Sequence, residues 1–514
     1  MLFRKKDRQN PWHNTIMEQI RNLETGDLTG IRMAYCAFAS GDGELIRQAG
    51  EEIRRQFSPM ASMQMLKICE RFREFTSIEW HVDWAKVSLS RIEEELPKET
   101  YRYVLILGSF HPNGYFREKC VEAMGDYDRM LFWLFPRVND WVLEIRRTAC
   151  RVLKKYLSAC DGTELIMGLP AYERLQDCRR RTESQMQELE TQIKERLSFA
   201  LKELDLRKIR YMEPCFRASL YRIAVQDRLW NMQEMEFCLK QEKMSCLKKF
   251  LIKRILAHPD CTLAWAERYL ADSSSQVRKA VLEFKYEHLK TCWDGLEHML
   301  LDKSKGIRGY AAYILERHSS LDIREYYLVH IQDKKPEYAI LGLSEFSRNG
   351  NVQVFLKCLE RPEGKIVKCT LLALGSQEDF RDEELLWNYL LSDKNDIAKA
   401  AYLSICKRGF YPGAERIYEA YRQTQTEHQK KYLLKLLFRE SSWNRLPYLL
   451  CLYGGNMPEE ERNQVLSGIR CRSMYGSLTE KLAEKILSAL EENREKLPDG
   501  VEKEILFDMK FLAK

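Results

Sequence analysis

The sequence predicts an all-α superhelix, a solenoid of stacked antiparallel helix pairs, and three observations carry that prediction. The first is composition. Only 24 glycines and 14 prolines occur in 514 residues, well below the roughly 12% of ordinary proteins. With few breakers and 45% hydrophobic residues, the chain favours helices that have ample apolar surface to bury. The second is period. Apolar residues that open helices recur at Phe116, Ile145, Val277, Ile307, Tyr338, Ile366 and Ile397. They are 29 apart in the first pair, then 30, 31, 28 and 31 along the last five. Two helices of about twelve residues, with two turns, fill such a period. The third is that side-chain chemistry repeats at fixed offsets from these anchors.

Four residues after the anchors come Cys120, Ala149, Val281, Ala311, Gly342, Thr370 and Ala401, all small or β-branched. Such a column lets a neighbouring helix approach closely. Eight after come Met124, Leu153, Lys285, Leu315, Phe346, Leu374 and Ile405, and Phe284 is expected to fill the place of Lys285. These offsets share one stripe, the buried face of the second helix in each pair. The first helix is marked eleven before the anchors by Leu105, Leu134, Ala266, Leu296, Tyr327, Phe355 and Leu386. Seven before stand Ser109, Val138, Leu270, Leu300, Ile331, Leu359 and Leu390, on the same face. Five before lies a polar turn holding His111, Asp140, Asp272, Asp302, Asp333, Arg361 and Ser392. An Asp there accepts hydrogen bonds from exposed amides at the start of the second helix.

The segments HPNGYFREKCVEAM, NDWVLEIRRTACRVL and DKSKGIRGYAAYILE resemble HEAT repeats. That family places an Asp turn before an apolar-Arg pair, a small residue and a leucine. Arg117, Arg146, Arg278 and Arg308 occupy the Arg position directly after the anchor. Later repeats carry Ala339, Val367 and Ala398 there, so a continuous Asp–Arg ladder is not expected through the C-terminal half. Clear matches run over 100–157 and 260–408; they speak for architecture only.

Taken in order, residues 1–13 form a basic N-terminal tail with Arg4, Lys5, Lys6 and Arg8. Such a cluster reads as a solvated tail, or as the cytoplasmic flank of a membrane anchor lying upstream of Met1. Residues 14–170 are an N-terminal block of HEAT-like repeats, eroded before residue 96. Residues 171–250 break the period with a long charged run, either a helical insert or an irregular helix pair. Within it Met186, Leu189, Ile193, Leu197, Ala200 and Leu204 form a short heptad stripe. A protruding hairpin or coiled coil, and a long helix laid across the repeats, both fit that stripe. Residues 251–440 are a C-terminal repeat block. Residues 441–514 are a helical cap, expected to turn a polar face outward.

No catalytic signature is present: no phosphate-binding glycine loop, nucleophile elbow or His-Glu-x-x-His occurs. No catalytic, cofactor-binding or metal-binding residue is therefore assigned, and the partner-binding residues stay unassigned. His288, Cys292 and His298 come nearest to a metal set but lack a fourth ligand, so packing and surface roles are expected. The Arg column invites a phosphate-gripping reading; matching Asp columns favour structural pairing. Among aromatic residues, Trp80, Trp84, Trp141, Trp265, Trp293 and Trp443 stand near helix starts and are the first places to seek a partner surface. Sixteen cysteines without a Cys-x-x-Cys pair suit free thiols in a reducing compartment, hence a cytoplasmic protein.

The HEAT resemblance implies a non-enzymatic scaffold or adaptor that binds a protein on a concave face formed mainly by the second helices. Its alternative is a nucleic-acid-binding protein akin to HEAT-like alkylpurine-DNA glycosylases, which a formal charge of only +7 supports weakly. HEAT-like repeats also occur in phycobilin lyases, but nothing in the sequence identifies a bilin site.

Overall fold

The computed structural model describes residues 12–72, 82–176, 183–473 and 478–512. Among them every regular element is an α-helix or a short 3-10 helix, and no strand occurs. Residues 1–11, most of the basic tail, and Trp80 lie outside the described residues. The chain divides into two compact units, Met1–Val281 and Leu282–Lys514. Each is a run of antiparallel helix pairs of the HEAT-like α-solenoid class, as in Lys98–Gly108 with Gly114–Ala123, or Glu383–Leu390 with Asn395–Arg408.

The predicted columns form the core. The residues four after the anchors are buried in all seven repeats, as are those eleven before them. The turn chemistry repeats more closely than the sequence suggests. Turn side chains accept a hydrogen bond from the amide two residues on, fixing the start of the second helix. Asp140, Asp272 and Asp302 do so at 3.1, 2.7 and 2.7 Å. His111 and Ser392 do the same at 3.0 and 3.3 Å.

One repeat departs from the predicted register. The second helices normally open with an amide bonded three residues before the anchor, as Arg308 to Ser304 or Val367 to Glu363. Here Ile340 bonds to Pro336, which makes Ala339 the anchor. The turn through Lys334, Lys335 and Pro336 is one residue longer, and Pro336 serves as the N-cap. Tyr338 and Phe346, expected in the core, are therefore 40% and 38% exposed. Gly342 stays buried against the Tyr327 ring; a Cβ there would lie 2.3 Å from Cε1. Phe284 is only half-buried beside Lys285, its ring against His288 at 4.0 Å, and does not fill the core position.

The helix Glu183–Glu203 lies against Leu143–Ala159 and Gly162–Gln176. Its stripe residues Leu189, Ile193 and Leu197 are fully buried, so the stripe is consumed by packing and no free coiled coil projects here. The side chain of Met186 lies outside the described residues. Beyond this helix the period resumes. Phe216 and Leu247 stand 31 and 30 residues before the next anchors, Leu247 and Val277, and both open helices in the repeat register. The final helix, Val501–Leu512, buries Val501, Ile505 and Met509 but leaves Phe507 and Phe511 strongly exposed, where a polar outer face was expected.

Candidate partner-binding surface

The Arg column is internal. Each of the four guanidinium groups reaches back through Nη1 to the carbonyl of its own turn: Arg117 to His111, Arg146 to Asp140, Arg278 to Asp272 and Arg308 to Asp302. Helix ends leave carbonyls unsatisfied, and a fixed planar cation answers them well. Arg117 then forms a two-pronged pair with Asp140 of the following turn, both contacts at 3.1 Å and both side chains wholly buried. Arg137 joins the same carboxylate at 3.1 Å.

The link repeats where the sequence pattern is blind to it. Arg217 grips Glu242 at 2.9 and 3.0 Å, and Lys248 meets Asp272 at 3.1 and 3.2 Å. Glu242 also accepts the Met244 amide at 2.9 Å, as the turn Asp residues do two residues on. Glu replaces Asp in one rung and Lys replaces Arg in the other, which hides both from an Asp–Arg template. Asp333 is exposed, and Arg308 pairs instead with Glu345 at 3.0 and 2.6 Å. Buried against Trp84 and Phe116, His111 has its pKa pushed down to about 3 by desolvation and then by Arg117 and Arg32.

His288, Cys292 and His298 do not converge. His288 Nδ1 lies 2.8 Å from the Phe284 carbonyl, Cys292 donates to the His318 carbonyl, and His298 is largely exposed beside Glu297. Among the described residues no three His, Cys, Asp or Glu side chains are placed to hold a metal ion. No helix among them is long and apolar enough to cross a membrane.

The tryptophans divide. Trp84 is buried against His111 and Phe116, and Trp443 is buried with its indole nitrogen donating to the Ser473 carbonyl. Both are core residues and leave the surface set. Trp265 and Trp293 are half-buried, each with a cation over its ring. Trp141 is more than half exposed, the one such tryptophan among the described residues.

A different aromatic group faces solvent in the second unit. Tyr310 and Tyr313 lie on the second helix Lys305–His318, three and six residues after Ile307, between the buried columns. Their rings are nearly parallel, 6.0 Å apart at 15°. Tyr286 of the preceding helix stands edge-on to both, at 6.1 and 6.5 Å. Its hydroxyl is 3.0 Å from His318 Nε2, which fixes the ring. Tyr313 is 39% exposed and carries the Arg317 guanidinium 4.3 Å over its face. Tyrosine and arginine held rigid and half in solvent are the residue types that dominate protein interfaces.

No family model matches the chain, and no curated protein matches its sequence. Among solved structures it is similar to Kap121p, at 10% identity over 94% of this chain and 61% of that one, with a TM-score of 0.31. It is also similar to Kap121p bound to Ste12p, at 11% identity over 98% and 65% of the two chains, with a TM-score of 0.29. The chain thus spans under two thirds of the length of those proteins. At that level of likeness the functional reading rests on this chain's own side chains.

Tryptophan at helix starts does not mark the tyrosine group. The available signal was positional. Tyr310, Tyr313 and Tyr286 fall three, six and nine residues after their anchors, on the arc the core columns leave free.

Proposed function

We propose that the chain is a non-enzymatic helical-repeat scaffold that binds a protein partner on the solvent-facing sides of its second helices. The observation that carries this is the ordered, half-exposed cluster of Tyr286, Tyr310, Tyr313 and Arg317 on two successive second helices. The nucleic-acid alternative has less support, since the Arg column bonds to turn carbonyls and carboxylates and its groups at 117, 278 and 308 are buried. The fifteen described cysteines are free thiols, which suits the reducing cytoplasm.

The test is affinity capture from source cells with the wild-type chain and with the double variant Tyr310→Ala/Tyr313→Ala, both shown to unfold at the same midpoint. A protein recovered by the first and lost with the second is the expected outcome. Equal recovery by both, or nothing above background, overturns the assignment. Duplex DNA at low salt should not be retained.

A further inference from the structure

Further along the second unit the second helices change character. Gly364–Leu374, Asn395–Arg408 and Glu427–Leu437 carry eight Lys or Arg against two acids, nearly the whole of the chain's formal charge of +7. The two acids, Asp396 and Glu427, stand in first turns, where a carboxylate answers the positive helix end. The first helices between them are not basic. Glu383–Leu390 and Ala414–Gln423 hold four Glu and two Arg, and Arg416 is paired with Glu384. The excess positive charge is therefore one-sided.

Register puts much of it in line. Lys368, Lys399 and Lys431 each stand two residues after the residue that opens the helix, Ile366, Ile397 and Gln429. Four residues on, one turn along the same face, come Leu372, Leu403 and Lys435. Neighbouring helices are tied together: Ser404 donates to the Leu371 carbonyl and Tyr432 to Asn395 Oδ1, both at 2.9 Å. A lysine row thus runs beside a row that begins with two leucines, of which Leu403 is 44% exposed. Lys399, Lys431 and Lys435 are exposed, Lys368 is half-buried, and none of the four forms an ion pair among the described residues. The preceding second helix, Glu337–Phe346, has two acids, Glu337 and Glu345, and Arg308 takes the second. Lys407 donates to Ser376 Oγ at 2.6 Å. Burial first, then Lys305 and Arg348, lower its pKa against an opposing effect of Glu345, as in a field of excess cations.

We propose that these two rows seat an acidic segment of the protein partner, whose carboxylates meet the lysines and whose apolar side chains lie over Leu372 and Leu403. The inference rests on the protein-binding reading and names the chemistry of the partner. Like charges gathered on one face repel one another, and an anionic occupant relieves that repulsion. A nucleic acid also offers anions, but its bases stack on open aromatic faces. Here leucines flank the lysines, and Tyr402 and Tyr432 stack on each other, 5.4 Å apart at 23°.

The probe is a fluorescein-labelled peptide of about twelve residues repeating Asp-Asp-Leu, followed by anisotropy against the full chain at about 0.15 M salt, where surface charges act across about 8 Å. Asp-Asp-Ser and Lys-Lys-Leu peptides of equal length are the controls. The Asp-Asp-Leu peptide binds, the Asp-Asp-Ser peptide binds more weakly and the Lys-Lys-Leu peptide does not bind. Lys399→Glu/Lys431→Glu weakens binding by about ten-fold or more. Lys243→Glu/Lys253→Glu, the same change of charge at exposed sites in the first unit, retains it. Leu403→Ser narrows the gap between the Leu and Ser peptides. Unfolding midpoints of the variants separate loss of the rows from loss of the fold. No binding by the wild-type chain, equal binding of the Leu and Ser peptides, or binding indifferent to Lys399 and Lys431 overturns the proposal. So does an oligothymidylate of the same length that binds as tightly through those lysines. If the captured protein depends on Tyr310 and Tyr313 while the acidic peptide fails to bind, the scaffold assignment stands and the seat for an acidic segment falls.

Discussion

Asp140 holds together three arginines from two successive turns. Its carboxylate bonds to Arg117 and Arg137, and its carbonyl to Arg146. Removing one member of a buried pair leaves a charge without compensation, which costs about 3–5 kcal/mol. Asp140→Ala should lower the unfolding free energy by that amount in chemical denaturation. Glu384→Ala, at the exposed pair with Arg416, should leave the midpoint unchanged. His111 makes this same corner sensitive to acid. Its folded pKa of about 3 lies below the ordinary 6.5, so its contribution is complete above pH 6.5 and falls as pH drops towards 3. The slope is about 1.4 kcal/mol per pH unit. His111→Asn keeps an acceptor for the Asn113 amide and does not titrate, so the difference in stability between the variant and wild type should narrow over that window.

At the scale of the element, helix existence was plain from the period, but register was not. The repeats differ in turn length by a residue or so, and a column drawn through Tyr338 misses the true anchor because Pro336 moves the helix start. Gly342 records the result. Gly342→Ala forces the Tyr327 ring to shift and should cost about 1–3 kcal/mol, measured as a lowered denaturation midpoint. The helix Glu183–Glu203 shows a second limit. A heptad stripe states only that one face is apolar, and here the bodies of two repeat helices cover it, not a partner strand. Conversely Phe507 and Phe511 lie outside the core, so replacing both with Ser should leave stability within about 0.5 kcal/mol.

Across the whole molecule, the sequence carried the helix-pair architecture because burial selects residue type at fixed offsets, and seven copies average out local noise. The candidate partner surface is less visible, since outward positions are free to vary and only their chemistry marks them. Thiol chemistry gives a global check. Native protein should react with a thiol reagent rapidly at the exposed Cys246 and Cys471. Cys69 and Cys120, buried and with their pKa values raised, should react only on unfolding.

The carboxylate that neutralises Arg117 belongs to the next turn, and Arg217 and Lys248 follow the same rule. This reciprocity constrains how the chain can be shortened or spliced. Excising Phe216 to Cys246 as one unit puts Leu247 in the place of Phe216 and keeps Lys248 with its own Asp272, with no rung left open, whereas a cut of half that length strands a cation without its anion. Viable length variants of this protein should therefore differ by whole modules.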